Sequence, residues 1–162
     1  MITEMSILDK AKDFAQQVHL GQKRKVSKKP YIIHPYRVFL AAISGGYNKD
    51  VQLVALLHDT YEDAPKKSYA EDKIKSTFGN KIWLFVKLLS HDKGTNYNNY
   101  ILELAKRSNI ALTVKLLDMI ENLKDSPSSK QKQKYFDGFH YLLNNNVKID
   151  NKLKITIERL TK

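Results

Sequence analysis

Apolar residues recur three and four positions apart along almost the whole chain, and this spacing fits one face of an α-helix. The N-terminal segment shows it clearly, with apolar residues at positions 7, 8, 11, 14, 15 and 18 between a Ser6–Asp9 cap and Gly21. Strand-like alternation is not convincing anywhere, since the β-prone run at 31–33 is too short to anchor a sheet. The sequence therefore predicts an all-α fold, a compact bundle of about eight helices.

The predicted helices are separated only by short turns. No internal repeat, low-complexity tract or linker divides the chain, and 162 residues suit one domain. We therefore expect residues 1–162 to form a single domain. The predicted segments are 7–18, 35–45, 50–58, 68–78, 81–90, 98–108, 110–124, 128–144 and 151–161.

The chain is strongly basic, with a net charge of +11 from 28 basic and 17 acidic residues. Such a surplus attracts nucleic acids, acidic membranes or phosphorylated small molecules, unless it reflects only a lysine-rich surface. Four of the basic residues are arginines. Because paired arginine–guanine contacts are the commonest way to read duplex DNA, this scarcity disfavours a nucleic acid partner.

The chain contains no cysteine, which excludes disulfides, thiolate metal sites and cysteine nucleophiles. This composition fits a reducing compartment, and we expect a cytoplasmic location. The longest apolar runs, 53–57 and 82–86, are far shorter than the roughly 20 residues of a membrane span. We therefore expect no membrane association, and the N-terminus has no apolar segment typical of a signal peptide.

Four polar residues stand beside or within apolar sequence: His34, the pair His58-Asp59, and Asp118. A carboxylate in such surroundings is unfavourable unless it is paired or binds a metal. Two imidazoles and two carboxylates form a mixed nitrogen–oxygen site suited to a divalent cation. Each residue alone also has an ordinary interpretation, as a core histidine, a chance His-Asp pair, or an aspartate paired with a lysine.

Acidic residues follow this candidate site directly. Glu62 and Asp63 come shortly after Asp59. Glu62 lies four positions after His58, so in a helix the two side chains are on the same side. Carboxylates near a metal can hold or deprotonate a water molecule. The alternative is a solvated acidic helix end. The second His-Asp pair, at 91–92, is expected to lie away from this centre.

Cations precede His34, at positions 23, 24, 25, 28 and 29. Five positive charges leading into a candidate metal site suit a substrate with several phosphates, although a solvated loop or a nucleic-acid patch has the same composition. Downstream, Asn122 shares a helix face with Lys115 and Asp118. Its amide suits either a substrate hydrogen bond or the cap of a neighbouring helix.

Together these residues resemble the HD-domain metal-dependent phosphohydrolases. The resemblance is closer to their alarmone hydrolase branch, which comprises the hydrolase domain of the RelA/SpoT enzymes and the stand-alone small alarmone hydrolases. It extends from about residue 8 to 125. The matching motifs are Gly-Gln-Lys-Arg-Lys (21–25), Pro-Tyr-Ile-Ile-His-Pro (30–35), Ala-Leu-Leu-His-Asp-Thr-Tyr-Glu-Asp (55–63), Phe-Gly (78–79) and Val-Lys-Leu-Leu-Asp-Met-Ile-Glu-Asn (114–122).

The resemblance implies an all-α fold and one divalent metal ion, usually manganese. The implied metal ligands are His34, His58, Asp59 and Asp118. The implied reaction removes the 3′-pyrophosphate from guanosine tetra- or pentaphosphate and leaves GDP or GTP. An anionic guanine nucleotide is therefore the expected partner.

The same resemblance implies roles for neighbouring side chains. Glu62 and Asp63 are expected to orient and activate the attacking water. Four residues are expected to bind the substrate. Arg24 would stack on the guanine and Lys25 would contact phosphate. Asn122 would contact the nucleoside, and Lys93 would be a second phosphate contact. The sequence departs from the family in the loop 24–30, which is one residue longer and lacks the usual glycine.

Other functions stay open at this stage. One is an HD phosphohydrolase acting on another nucleotide, such as a 5′-nucleotidase or a phosphodiesterase, although the basic loop around Arg24 disfavours it. Another is a basic module on an HD scaffold that binds nucleotide or nucleic acid without turnover. Because a binding module needs neither Glu62 nor Asp63, the presence of both favours the enzyme.

Overall fold

The computed structural model describes residues 5–91 and 94–162, and within them ten helices occur without a β-strand. The all-α prediction is confirmed, with more helices than the expected eight or so. The helices are α1 (Ile7–Val18), α2 (Ile33–Ser44), α3 (Lys49–Leu57), α4 (Thr60–Asp63), α5 (Lys67–Phe78), α6 (Asn80–Leu89), α7 (Tyr97–Arg107), α8 (Asn109–Lys124), α9 (Ser129–Asn144) and α10 (Asn151–Thr161).

Side-chain caps set several of the helix starts. The Ser6 hydroxyl accepts a hydrogen bond from the Asp9 backbone N–H, as the sequence predicts. α8 begins in the same way, because the Ser108 side chain accepts from the backbone N–H of Ala111. α5 differs from the prediction, since it begins at Lys67 without a side-chain cap rather than at Ser68.

α8 runs through the centre of the molecule and packs against α2, α3, α6, α7 and α10. Its buried residues extend around the helix and include Asp118, Glu121 and Asn122. The same hydrophobic cluster takes residues from α1 to α3 and from α5 to α10. A shared core of this kind supports the single-domain prediction for residues 1–162, which stays a prediction.

α2, α3 and α8 pack against one another, and this arrangement determines where the polar residues meet. α2 begins at Ile33, earlier than predicted, so His34 lies in its first turn with Pro35 next to it. Proline is tolerated there because the first backbone N–H groups of a helix have no intrahelical partner. α3 ends at Leu57, and His58 and Asp59 form the junction before α4.

The basic loop before α2 folds back on itself. Lys23 and Pro30 form an isolated antiparallel bridge, and the Arg24 N–H donates to the Lys29 carbonyl over 2.9 Å. Lys28 has a left-handed backbone, with φ of 59°. The two ends of the loop therefore lie side by side, which returns the chain directly to α2.

None of the helices in the part of the chain that the structure describes combines the length and apolar character needed to cross a membrane.

Candidate metal centre

Three of the predicted ligands converge at the junction of α2 and α3. Each of His34, His58 and Asp59 offers one ligand atom, and these atoms lie within 4.8 Å of one another. Both imidazoles are buried, and their ring centroids are 5.4 Å apart. The break in the helix after Leu57 lets the neighbouring residues His58 and Asp59 point to the same place.

Asp118 reaches the same cluster from the middle of α8. Its Oδ1 lies 2.8 Å from His34 Nε2 and 3.7 Å from His58 Nε2. Its Oδ2 accepts a hydrogen bond from Lys115 Nζ over 2.9 Å, and Asn122 Nδ2 donates to Oδ1 over 2.7 Å. Both interpretations of Asp118 are thus realised, because it pairs with a lysine and also faces the two histidines.

The unpartnered nitrogen of His58 supports a metal ligand role. His58 Nδ1 lies 2.8 Å from the Ala55 carbonyl, so in the neutral ring Nδ1 donates and Nε2 carries the lone pair. Nε2 is fully buried and makes no hydrogen bond of acceptable geometry, although Asp59 Oδ2 is only 3.1 Å away. A buried nitrogen lone pair facing carboxylates is typical of a metal-binding histidine whose other nitrogen is held by the backbone.

The electrostatics of the cluster also favour a cation. Burial opposes a charge on Asp118, but the Lys115 ammonium and the two imidazoles hold the pKa of this carboxyl well below its usual range. The pKa of Asp59 is lowered in the same way against burial, chiefly by His58. Burial also opposes a charge on His58, but the carboxylates of Asp59 and Asp118 outweigh it and raise its pKa, so in the metal-free protein His58 attracts a proton, a positive charge that a bound metal would replace. The residues present therefore fit a divalent cation.

The acidic pair lies on the single turn of α4, immediately after the junction. Burial, followed by the charges of Asp59 and Glu62, raises the pKa of Asp63 to about 6. Glu62 is exposed, and its Oε2 accepts a hydrogen bond from the His91 backbone N–H over 3.3 Å. The His91 backbone thus contacts Glu62, and the group of potential ligand atoms found among the described residues does not include His91. Asp92 lies outside the described residues.

Two residues of the site carry no predicted role. The Tyr31 hydroxyl donates to Asp59 Oδ2 over 2.7 Å, and its ring stacks on His19 with centroids 4.8 Å apart. His19 is buried, and its Nδ1 lies 2.9 Å from Gln22 Oε1 and 3.9 Å from Asp63 Oδ2. Only Tyr31 could have been singled out from the sequence, because it lies three positions before the predicted ligand His34.

A cavity of about 450 Å³ adjoins this cluster, and its lining includes Arg24, Lys25, Tyr31 and Asn122. Arg24 Nη2 donates to Asn122 Oδ1 over 2.5 Å, and Arg24 Nε donates to Asp125 Oδ2 over 3.1 Å. The guanidinium also lies over the Tyr31 ring, 5.4 Å from its centroid. Three of the predicted substrate-binding residues thus line one cavity.

The fourth predicted substrate-binding residue, Lys93, lies outside the described residues.

A protein-family model described as an HD domain matches residues 11–144, which include the whole cluster. The chain belongs to the HD domain family. The sequence resemblance to this family is therefore confirmed. In this HD domain, α2, α3 and α8 pack together around the two histidines and two aspartates.

The HD domain is similar to parts of longer curated proteins. A protein of Aquifex aeolicus named guanosine-3′,5′-bis(diphosphate) 3′-pyrophosphohydrolase is 34% identical over 125 residues, which cover 72% of this chain and 17% of that protein. The protein of the same name from Haemophilus influenzae is 31% identical over 68% of this chain and 17% of its own length. A GTP pyrophosphokinase of Streptomyces antibioticus is 29% identical over 72% of this chain and 14% of its own length. The HD domain thus spans less than a fifth of each of these relatives.

A solved structure has the same fold over almost its whole length. It is described as a metazoan ortholog of SpoT that hydrolyzes ppGpp and plays a role in starvation responses. The two structures superpose with a TM-score of 0.79, covering 99% of this chain and 96% of that chain, at 22% sequence identity. At this identity the likeness establishes the HD-domain fold.

Proposed function

We propose that this HD domain is a metal-dependent guanosine-3′,5′-bis(diphosphate) 3′-pyrophosphohydrolase, which converts the guanosine tetra- or pentaphosphate to GDP or GTP and pyrophosphate. The observation that carries the proposal is the buried cluster of His34, His58, Asp59 and Asp118 beside a cavity lined by cationic side chains. Two relatives with the name of this activity support the choice of substrate.

The metal ligands in this proposal are His34, His58, Asp59 and Asp118. The mixed imidazole and carboxylate donors suit a first-row divalent ion, and we propose Mn²⁺. When bound, such an ion lowers the pKa of water and stabilises charge on a phosphoryl group. The unpartnered His58 Nε2 and the depressed pKa values of both aspartates support this ligand set.

Glu62 and Asp63 act in the proposal as the groups that orient the attacking water and accept its proton. The raised pKa of Asp63, about 6, makes this carboxylate a better proton acceptor near neutral pH than an ordinary aspartate. The water oxygen bonds to the phosphorus next to the sugar 3′ oxygen. The bond between that oxygen and the phosphorus breaks, the 3′ oxygen takes up a proton, and pyrophosphate leaves.

Arg24, Lys25 and Asn122 hold the nucleotide in this proposal, with Lys93 as a further phosphate contact. Hydrogen bonds to Asn122 and Asp125 already fix the orientation of the Arg24 guanidinium, and its planar face is suited to stacking on a base. Asn122 connects the nucleotide cavity to the metal cluster, because its amide also donates to Asp118. We also propose that the protein acts in the cytoplasm.

The test is incubation of the metal-loaded protein with a nucleotide panel, followed by identification of the products. We expect pyrophosphate and GDP from guanosine tetraphosphate, and little release of phosphate from 5′-monophosphates or cyclic dinucleotides. Stoichiometric nucleotide binding without any product would contradict the enzyme and favour the binding module. Preferential cleavage of another nucleotide would assign the same HD centre to a different substrate.

A further inference from the structure

The nucleotide cavity has a second basic wall on α9, opposite the loop that carries Arg24. Lys130 and Lys134 are one helical turn apart, and both line this cavity and a neighbouring one of about 400 Å³. They therefore form a ridge between the two cavities. The resemblance to the alarmone hydrolases assigns no role to this ridge.

Lys134 is held in place by aromatic rings rather than by a carboxylate. Its ammonium lies 4.6 Å from the centroid of the Tyr97 ring and 5.0 Å from that of Tyr135. Among the described residues, no carboxylate lies within ion-pairing distance of this ammonium. Burial of part of the side chain, and after it the charge of Lys115, lowers the pKa of Lys134, although the carboxylates of Asp118 and Glu62 act in the opposite direction.

Two partly buried cations of this region, Arg24 and Lys115, already have carboxylate partners. Arg24 is paired with Asp125 at 3.1 Å, and Lys115 with Asp118 at 2.9 Å. A ligand phosphate that approached either of them would compete with a carboxylate. Lys134 remains exposed as a residue, so an anion in the cavity can reach its charge without such competition.

We propose that Lys134 is a specificity-determining residue that binds the phosphate groups at the far end of a nucleotide phosphorylated at both ends. The proposal rests on the proposed function, since it takes the metal cluster to hold the phosphates that are cleaved. A nucleotide with both ends charged needs a second cationic contact, and the two tyrosine rings hold the Lys134 ammonium before the ligand arrives. A group held in this way loses less conformational entropy on binding.

The test compares two ligands that differ only in these phosphates, guanosine tetraphosphate and guanosine 3′-diphosphate, which has a free 5′ hydroxyl. The affinity of each is measured by calorimetry with Mn²⁺ present, in protein carrying Glu62→Gln to slow turnover. Lys134→Gln should weaken binding of the tetraphosphate about tenfold, the loss of one charge-assisted contact, and leave the 3′-diphosphate unchanged. Lys134→Arg should retain most of the preference.

The matched control is Lys132→Gln, which removes the same charge from an exposed position on the same helix outside both cavities. We expect it to leave both affinities unchanged. Equal weakening of both ligands by Lys134→Gln, or no weakening of either, would overturn the proposal.

Turnover by the wild-type protein separates this inference from the proposed function. Cleavage of the tetraphosphate together with an unaltered preference in Lys134→Gln overturns only the role of Lys134. Loss of the preference in a protein that cleaves nothing supports the role of Lys134 and overturns the hydrolase. Failure of both ligands to bind overturns both proposals.

Discussion

His34 Nε2 and Asp118 Oδ1 lie 2.8 Å apart, although 84 positions separate the two residues in the chain. This contact joins the first turn of α2 to the middle of α8. Because His58 and Asp59 reach the same place from the end of α3, an ion bound there would connect the neighbouring helices α2 and α3 to α8, which is distant from both in sequence.

Metal binding should therefore stabilise the fold. At a free Mn²⁺ concentration 100 times Kd, one site adds about 2.7 kcal/mol to the free energy of unfolding. For a chain of this length, that corresponds to a rise in Tm of roughly 5–10 °C. Thermal unfolding with and without the ion, together with metal analysis, measures the effect and the expected stoichiometry of one.

His58→Ala should abolish this stabilisation, whereas His140→Ala, on the partly exposed side of α9, should retain it. An unchanged rise in Tm for His58→Ala would contradict the proposed ligand set.

The double variant Glu62→Gln and Asp63→Asn should lower kcat by about 10²–10⁴-fold, because the amides cannot accept a proton. Metal content and nucleotide affinity should hold, since neither side chain is a proposed ligand. Initial rates, metal analysis and calorimetry on the same preparation separate these effects. Asp72→Asn, on the exposed face of α5, is the control. Loss of metal together with activity would make the acidic pair a support of the ligands.

Asp63 should make the metal-free fold less stable as the pH rises. Its pKa is about 6 in the folded protein against an ordinary value of 3.8, so the folded state holds this proton more tightly than the unfolded state. The carboxyl therefore loses its stabilising contribution between about pH 4 and pH 6. Denaturant unfolding in chelator should show Asp63→Asn gaining stability relative to the wild type across this range. A difference that is constant from pH 4 to pH 8 would contradict the raised pKa.

Lys115→Met should destabilise the metal-free protein by about 3–5 kcal/mol, because it leaves the buried Asp118 carboxylate without its cation. Saturating Mn²⁺ should recover part of the loss by supplying another positive charge. The control is Lys106→Met, which breaks an ion pair of similar length with Glu103 on α7, where both side chains are exposed. That change should cost far less, because solvent screens an exposed pair. Equal losses for the two variants would show that Lys115 gives Asp118 no special support.

Arg24→Ala should raise KM for guanosine tetraphosphate about tenfold, because the guanidinium lines the cavity proposed to bind the nucleotide. Metal content should stay unchanged, since Arg24 is not one of the proposed metal ligands. Arg37→Ala is a matched control, since Arg37 approaches the same Asp125 carboxylate at 3.9 Å from outside the cavity. Steady-state kinetics of both variants provide the comparison. An effect on KM of the same size in Arg37→Ala would mean that Arg24 acts only through Asp125.

Local apolar patterns were sufficient to predict that His58 and Asp118 are buried. The apolar run before His58 predicts a buried helix. A histidine and an aspartate at the end of such a helix face other helices of the protein rather than solvent. Asp118 follows the same logic within α8. These predictions rest on the apolar residues that surround each polar one in its own helix, and a single sequence contains that pattern.

Contacts between distant loops could not be predicted in this way. The pairing of Arg24 with Asp125 spans 101 positions, and that of Gln22 with the Asp63 carbonyl spans 41. His19 stands alone between two apolar residues, so no spacing marks it as part of the site. The start of α4 also has no local signal, because the Asp59 side chain at its N-cap makes no capping hydrogen bond and instead accepts one from the distant Tyr31 hydroxyl.

The folded-back basic loop has a consequence for how such a protein can diverge. The Lys23–Pro30 bridge closes the loop at its base, so an insertion or exchange of residues at the tip leaves the positions of Tyr31 and His34 unchanged. Lys28 occupies there a left-handed conformation that glycine adopts without steric penalty. Related HD domains can therefore differ at the tip of this loop, and so in what the adjoining cavity binds, while keeping the cluster of His34, His58, Asp59 and Asp118 unchanged.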